Sequence, residues 1–172
     1  IDNTKPEVFL MGLDEIDIST FKNAYVIYLG HHGDIAASIS DVILPTPAYT
    51  EKSSTYMNIE GRVIQSTKCH NPLGEAREEW KIFRVLSDLF GNDLKFNNLR
   101  ELRSELTKNF NQFSHLNQIY VNKEITFAKQ NKIADIKINY NIKNFYMNDS
   151  ISRASKTMAS CTHEILNKAK AS

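Results

Sequence analysis

Cysteine is scarce in this 172-residue chain. Cys69 and Cys161 are the two present, far apart and in no CxxC pair, which excludes a disulfide framework and any run of iron–sulfur cluster ligands. Long apolar stretches are also missing. No run reaches the roughly 18 residues needed to cross a bilayer, and the chain does not open on a basic segment followed by an apolar one, as a secretory signal would. A dense block of Lys or Arg is absent too. With 21 basic against 20 acidic residues, a formal net charge of +1 and a pI near 7.9, there is no broad electrostatic footprint for a polyanion, and nucleic acid is not an expected partner. Several catalytic signatures are lacking: no HExxH or HxxxH metal spacing, no GxSxG turn, no phosphate-binding P-loop and no GxGxxG.

What remains is an ordinary soluble composition, 41% hydrophobic and 24% charged. The chain starts on Ile1-Asp2 rather than Met and is in a strand pattern by Val8, so it reads as a piece of a longer polypeptide. Three short apolar runs, VFLMGL (8–13), AYVIYL (24–29) and DVIL (41–44), have the length and the β-branched or aromatic content of buried strands. The third is expected to stop at Pro45. The stretches between them hold one or two helical turns each, the spacing of parallel strands joined by crossovers. The expected fold is therefore α/β, an incomplete parallel Rossmann-like sheet whose missing strands lie upstream. A β-hairpin excursion follows at 54–66, where Asn58 and Gly61 suit the first and fourth positions of a type I turn. Residues 75–90 read as a helix that is apolar over more than half its circumference (Trp80, Ile82, Phe83, Val85, Leu86, Leu89, Phe90) and so is expected to be buried on most sides. Asn98 and Glu101 form a capping-box-like start to a second helix, with Leu99, Leu102, Leu106 and Phe110 as its stripe. An irregular wrap is expected over 111–148, with Ile136, Ile138, Tyr140 and Ile142 alternating as a short strand would. A last helix, capped by Ser150, places Ile151, Ala154, Met158, Cys161 and Ile165 on one side. The expected organisation is 1–91 as an α/β portion, 92–148 as helix plus wrap, and 149–172 as a C-terminal docking helix.

The chemistry-bearing residues are few. His31 and His32 follow the second strand, but sequence neighbours in extended backbone point to opposite sides, so one metal needs a bend there and further ligands from elsewhere. The simpler reading is a loop in which Gly33 relaxes the backbone and Asp34 caps the next helix. An anion or partner contact is the alternative, because the loop sits at the carboxyl end of a parallel strand. Glu51, Lys52 and Glu60 resemble a carboxylate pair with a basic helper, although charged residues on loops and hairpins are more often solvated than catalytic. Cys161 reads as a small buried hydrophobe. Cys69 lies in a more exposed Lys-Cys-His loop, where His70 would lower its pKa only by approaching the sulfur. No catalytic, cofactor-binding or metal residue is assigned.

Three separated blocks carry a resemblance. GHHGDIAASISDVILPTPAYTEKSSTYMNIEGRVIQ (30–65) resembles the late segment of the molybdopterin-oxidoreductase superfamily domain. HHGD together with REEWKIFRVLSDLFG (77–91) narrows the likeness to the largest peripheral-arm, iron–sulfur subunit of respiratory complex I, the NADH:quinone oxidoreductase. FYMNDSISRASKTMASC (145–161) is similar to the C-terminal end of that subunit in its mitochondrial and alphaproteobacterial form. The resemblance implies a molybdopterin-enzyme fold without the molybdenum cofactor. It also implies a parent subunit that binds 2Fe-2S and 4Fe-4S clusters upstream and passes electrons from NADH toward ubiquinone. The implied partners are the upstream half of the same subunit and other peripheral-arm subunits. The implied location is the matrix side of the mitochondrial inner membrane or the cytoplasmic side of a bacterial one, with no membrane span. None of the family's cluster-ligand motifs is here, so no ligand role passes to His31, His32, Cys69 or Cys161. The runner-up is part of a working molybdopterin-dependent oxidoreductase, since the EK and NxEGRxQ elements are shared with enzymes that hold that cofactor. A hydrolase with a His-Asp site is a third class and lacks a nucleophile in a recognisable turn.

Overall fold

A computed structural model describes residues 5–13, 17–119 and 144–167. The chain divides into two compact units, one formed by residues 1–44 with 129–172 and the other by 45–128. The alternating Ile136, Ile138, Tyr140 and Ile142 lie outside the described residues.

The first unit is built on a three-stranded sheet in the order β1-β2-β3, with β1 Glu7–Met11, β2 Tyr25–Gly30 and β3 Val42–Pro45. β1 and β2 are parallel, Val8 opposite Val26 and Leu10 opposite Tyr28. The α/β class and the parallel pairing agree with the sequence. The strand edges move slightly, since β2 runs one residue beyond the 24–29 run to Gly30 and Pro45 is itself the last residue of β3. Because side chains alternate along a strand, Leu10, Val26 and Tyr28 share one face, where they pack with Ala36 of α1 (Ile35–Ser38) and with Phe21, Ala24 and Ile39. Phe9 and Met11, on the alternate face of β1, stay exposed. A polar clamp starts β3: the Val26 N–H donates to the Asp41 carboxylate at 2.7 Å and the Asp41 N–H to Val26 O at 2.9 Å.

The C-terminal part of this unit departs from the expected single helix. α4 (Ser150–Ala154) ends at Ser155, whose φ/ψ of −85°/123° is extended, and α5 (Lys156–Cys161) begins there, continuing into a π-helical stretch Thr162–Asn167. Ser155 supplies the physical reason: its hydroxyl accepts the Met158 N–H at 3.4 Å and starts a new helix instead of continuing the old one. Asp149, not Ser150, is the N-cap. Its carboxylate accepts from the Ile151 and Ser152 N–H groups, both at 2.9 Å, and the Ser152 hydroxyl accepts from the Asp149 N–H at 3.1 Å. The expected stripe is broken by that interruption, and Ile151, Ala154 and Ile165 are exposed while Met158 and Cys161 are half-buried.

The second unit holds the expected hairpin, β4 Thr55–Met57 against β5 Val63–Gln65, antiparallel. Asn58 organises its turn. Its side-chain oxygen accepts from the Glu60 N–H at 3.0 Å and the Arg62 N–H at 2.9 Å, and Gly61 takes the left-handed φ of 81° that the turn requires. α2 runs Glu79–Leu89, shorter than the expected 75–90, and it is not buried on most sides: Ser87 is its buried residue, while Val85, Leu89 and Phe90 are more than 60% exposed. α3 (Leu99–Asn109) is capped by Asn98 as expected. Glu101 reaches back to the Asn97 N–H at 2.7 Å and the Asn98 side-chain amide at 2.7 Å, and those partners hold its carboxyl below the usual range, the Asn97 N–H foremost. Val63 and Pro47 are fully buried in this unit, and the chain at 116–119 bridges to β5 and its approach.

Candidate functional site

The loop after β2 is shaped by Tyr28. Its ring folds forward over Gly30, where a Cβ would lie 2.0 Å from the phenol oxygen, so any side chain there would displace the ring. The phenol hydroxyl donates to His32 O at 3.1 Å. The backbone bends at His31 and His32, and the bend overturns the expectation of diverging rings. The two Nδ1 atoms lie 2.6 Å apart, with the rings edge to face and their centroids separated by 4.8 Å. Both side chains reach the surface of the loop, and neither belongs to a group of three or more potential metal ligands among the described residues.

Asp34 occupies the N-cap position of α1, and its backbone O accepts the Ser38 N–H at 3.1 Å, but its side chain makes no cap hydrogen bond. The carboxylate instead accepts from Arg153 Nε at 2.7 Å, with the two side chains 12% and 20% exposed. The reason is the stronger partner: a charge-assisted bond to a guanidinium outweighs one to a neutral amide. Arg153 also donates to Met147 O at 3.3 Å. The pair joins the Asp of HHGD to the Arg of SISRAS, two sequence blocks separated by most of the chain. No local periodicity points to such a contact; only the presence of both charges in motif-like blocks could have suggested it.

The remaining candidates are used locally. Glu51 is buried, not solvated, and its carboxylate accepts the Ala48 N–H at 3.0 Å. Lys52 pairs with Glu79 at the start of α2, both largely shielded. Glu60 is an exposed turn residue. The His70 Nδ1 lies 3.0 Å from Asn71 O and 4.0 Å from the Glu51 carboxylate. Cys69 is exposed and Cys161 half-buried, less sheltered than the buried hydrophobe expected. A shallow cavity of about 250 Å³ opens among Lys68, Asn71, Arg77, Glu78 and Lys81. Glu78 is partly buried there, which opposes ionisation, yet hydrogen bonds from the Lys81 ammonium and the Trp80 indole N–H outweigh that effect and hold its carboxyl below the usual range.

Comparison with known proteins separates these local arrangements from their family setting. Residues 1–89 match the family model described as molybdopterin oxidoreductase. The chain belongs to the molybdopterin oxidoreductase family. A second family model, for the C-terminal part of the NADH-ubiquinone oxidoreductase G subunit, matches residues 120–161. The NADH-quinone oxidoreductase G subunit of Rickettsia bellii is 40% identical over 153 residues, covering 89% of this chain and 22% of the relative. The NADH-ubiquinone oxidoreductase 75 kDa subunit of Reclinomonas americana is 38% identical over 168 residues, 94% of this chain and 24% of the relative. This member of the molybdopterin oxidoreductase family thus spans about a quarter of the length of the curated relatives it matches.

The described residues do not fit the cofactor after which the family is named. The polar groups of the EK element already have partners within the chain: Glu51 in its own turn and Lys52 in Glu79. The cavity near α2 is below the roughly 300–1,000 Å³ of ordinary small-molecule sites and already holds the Glu78 carboxylate against its cations. Iron–sulfur clusters fit no better, because the sequence has two cysteines against the four thiolates that such a cluster takes. No helix among the described residues is long and apolar enough to cross a membrane.

Proposed function

We propose that this chain is the C-terminal scaffold segment of the respiratory complex I subunit whose upstream part carries 2Fe-2S and 4Fe-4S clusters and passes electrons from NADH toward ubiquinone. The observation that carries the reading is the order of the two matches: a molybdopterin oxidoreductase region at 1–89, then a region at 120–161 like the C-terminal part of the complex I G subunit. The segment itself does no redox chemistry. Its task is to pack and dock, against the upstream part of the same subunit and against other peripheral-arm subunits, on the matrix face of the mitochondrial inner membrane or the cytoplasmic face of a bacterial one. The Asp34–Arg153 pair supports that role, since it anchors the C-terminal helices to the sheet.

The test is a native gel of solubilised membranes. The chain is expected to migrate with NADH:quinone oxidoreductase activity, and migration apart from it would reject the assignment. Arg153→Ala is expected to lower the amount of assembled complex while leaving turnover per cluster near normal. Elemental analysis of the isolated chain is expected to find neither molybdenum nor iron, whereas stoichiometric molybdenum retained through chelation would favour a working molybdopterin enzyme.

A further inference from the structure

Helix α2 wears its polarity inside out. Ser87 is its buried residue, with the hydroxyl donating to Arg84 O at 2.7 Å. At about 100° per residue, Val85 and Leu89 lie about 160° around the helix from Ser87, and they are 61% and 76% exposed. Ile82 and Leu86, half-buried, extend the same stripe, the four side chains falling within about 100° of one another. Phe90 continues it at the C-cap and is also exposed. The charged residues Glu79, Lys81, Arg84 and Asp88 all fall outside that arc. A helix that buries a serine and turns valine and leucine outward presents a contact face.

A lipid surface does not suit this face, because Glu79 and Asp88 balance Lys81 and Arg84 and leave no cationic border for anionic headgroups. The extent of the family match says what does. It covers residues 1–89, so α2 lies wholly inside the molybdopterin oxidoreductase region and closes it. Relatives that match 89% and 94% of this chain use it as 22% and 24% of their own length, so most of each relative lies outside it. A helix within a domain is covered by other layers of the same domain. We propose that the stripe Ile82, Val85, Leu86 and Leu89 is covered by an apolar face of the upstream part of the same polypeptide and not by a neighbouring subunit. This rests on the complex I reading above and chooses between the two kinds of partner that it names.

The experiment places a photo-activated benzophenone amino acid at Leu89, and separately at Val85, in the full-length subunit, and illuminates membranes holding the assembled enzyme. The expected product is a cross-link within one polypeptide: the subunit keeps its mass on a denaturing gel, and peptide mass spectrometry joins α2 to a segment outside these 172 residues. A band heavier by the mass of another subunit would overturn the proposal. So would a link confined to these residues, or no link at all, the result for a stripe that faces water. Native gels run beforehand separate the two readings, since an unaltered chain that migrates apart from NADH:quinone oxidoreductase activity rejects the complex I assignment before any illumination. Val85→Asp combined with Leu89→Asp decides the matter if neither probe assembles. The soluble yield of the full-length subunit expressed without its partner subunits should fall about fivefold or more, because two charges then enter its interior. A stripe reserved for another subunit would leave that yield unchanged.

Discussion

Around β1, β2 and α1 the interior is apolar: Leu10, Val26, Tyr28 and Ala36 touch one another, and Val8, Phe21 and Ile39 pack on the outside. In the second unit Val63 and Pro47 are fully buried, and the long-range ties around the hairpin are polar. Arg62 donates to Asn117 O at 2.6 Å, Arg103 to the Thr55 hydroxyl at 3.2 Å, and Lys52 pairs with Glu79. Length explains the contrast. Strands of five and six residues present several inward side chains each, whereas a hairpin with three-residue arms presents too few and is held by side chains from distant segments. The sheet should therefore be sensitive to lost volume and the hairpin to the loss of one polar partner.

The sharpest way to break that contrast is in the sheet. Leu29 is 1% exposed, so Leu29→Ala is expected to cost about 2–5 kcal/mol by lost burial and a residual cavity. Urea denaturation measures the cost, with hydrogen exchange at the β1 and β2 amides showing where it falls. A loss below about 1 kcal/mol would mean that this side of the sheet is not a packed interior. In the second unit, Lys52→Met leaves the shielded Glu79 carboxylate without its cation and is expected to cost about 1–2 kcal/mol. The double variant Lys52→Met with Glu79→Met should recover most of this. Additive costs in that cycle would show that the pair is not coupled.

A smaller effect is expected at the turn. Asn58→Ala removes the acceptor for two backbone N–H groups and should lower stability by about 0.5–1.5 kcal/mol, with faster exchange at the Glu60 and Arg62 amides. The smallest is electrostatic. Glu78 titrates below its ordinary value of 4.5 in the folded chain. The stability it contributes is therefore present above that value and is lost as the pH falls through the lower folded-state value. The melting temperature should decline on acidification below pH 4.5, and Glu78→Gln should reduce the slope there while lowering the melting temperature slightly at neutral pH, where the charge makes its contribution.

Local pattern by itself determined a good deal of this protein. The apolar runs specified β1, β2 and β3, Asn58 with Gly61 specified the hairpin, and Asn98 with Glu101 specified the start of α3, because each depends on residues within a few positions of one another. The three motif blocks indicated the family for the same reason, being contiguous. Tertiary structure decided what charges and faces do. It turned Asp34 from helix cap to the partner of Arg153, buried Glu51, left Val85 and Leu89 exposed, and brought the His31 and His32 rings together through a tyrosine folded over Gly30. It also broke the terminal helix at Ser155, where a hydroxyl competes with the backbone. A charge has no period. Its partner is chosen by which segments meet in space, and its energy depends on how much water remains there.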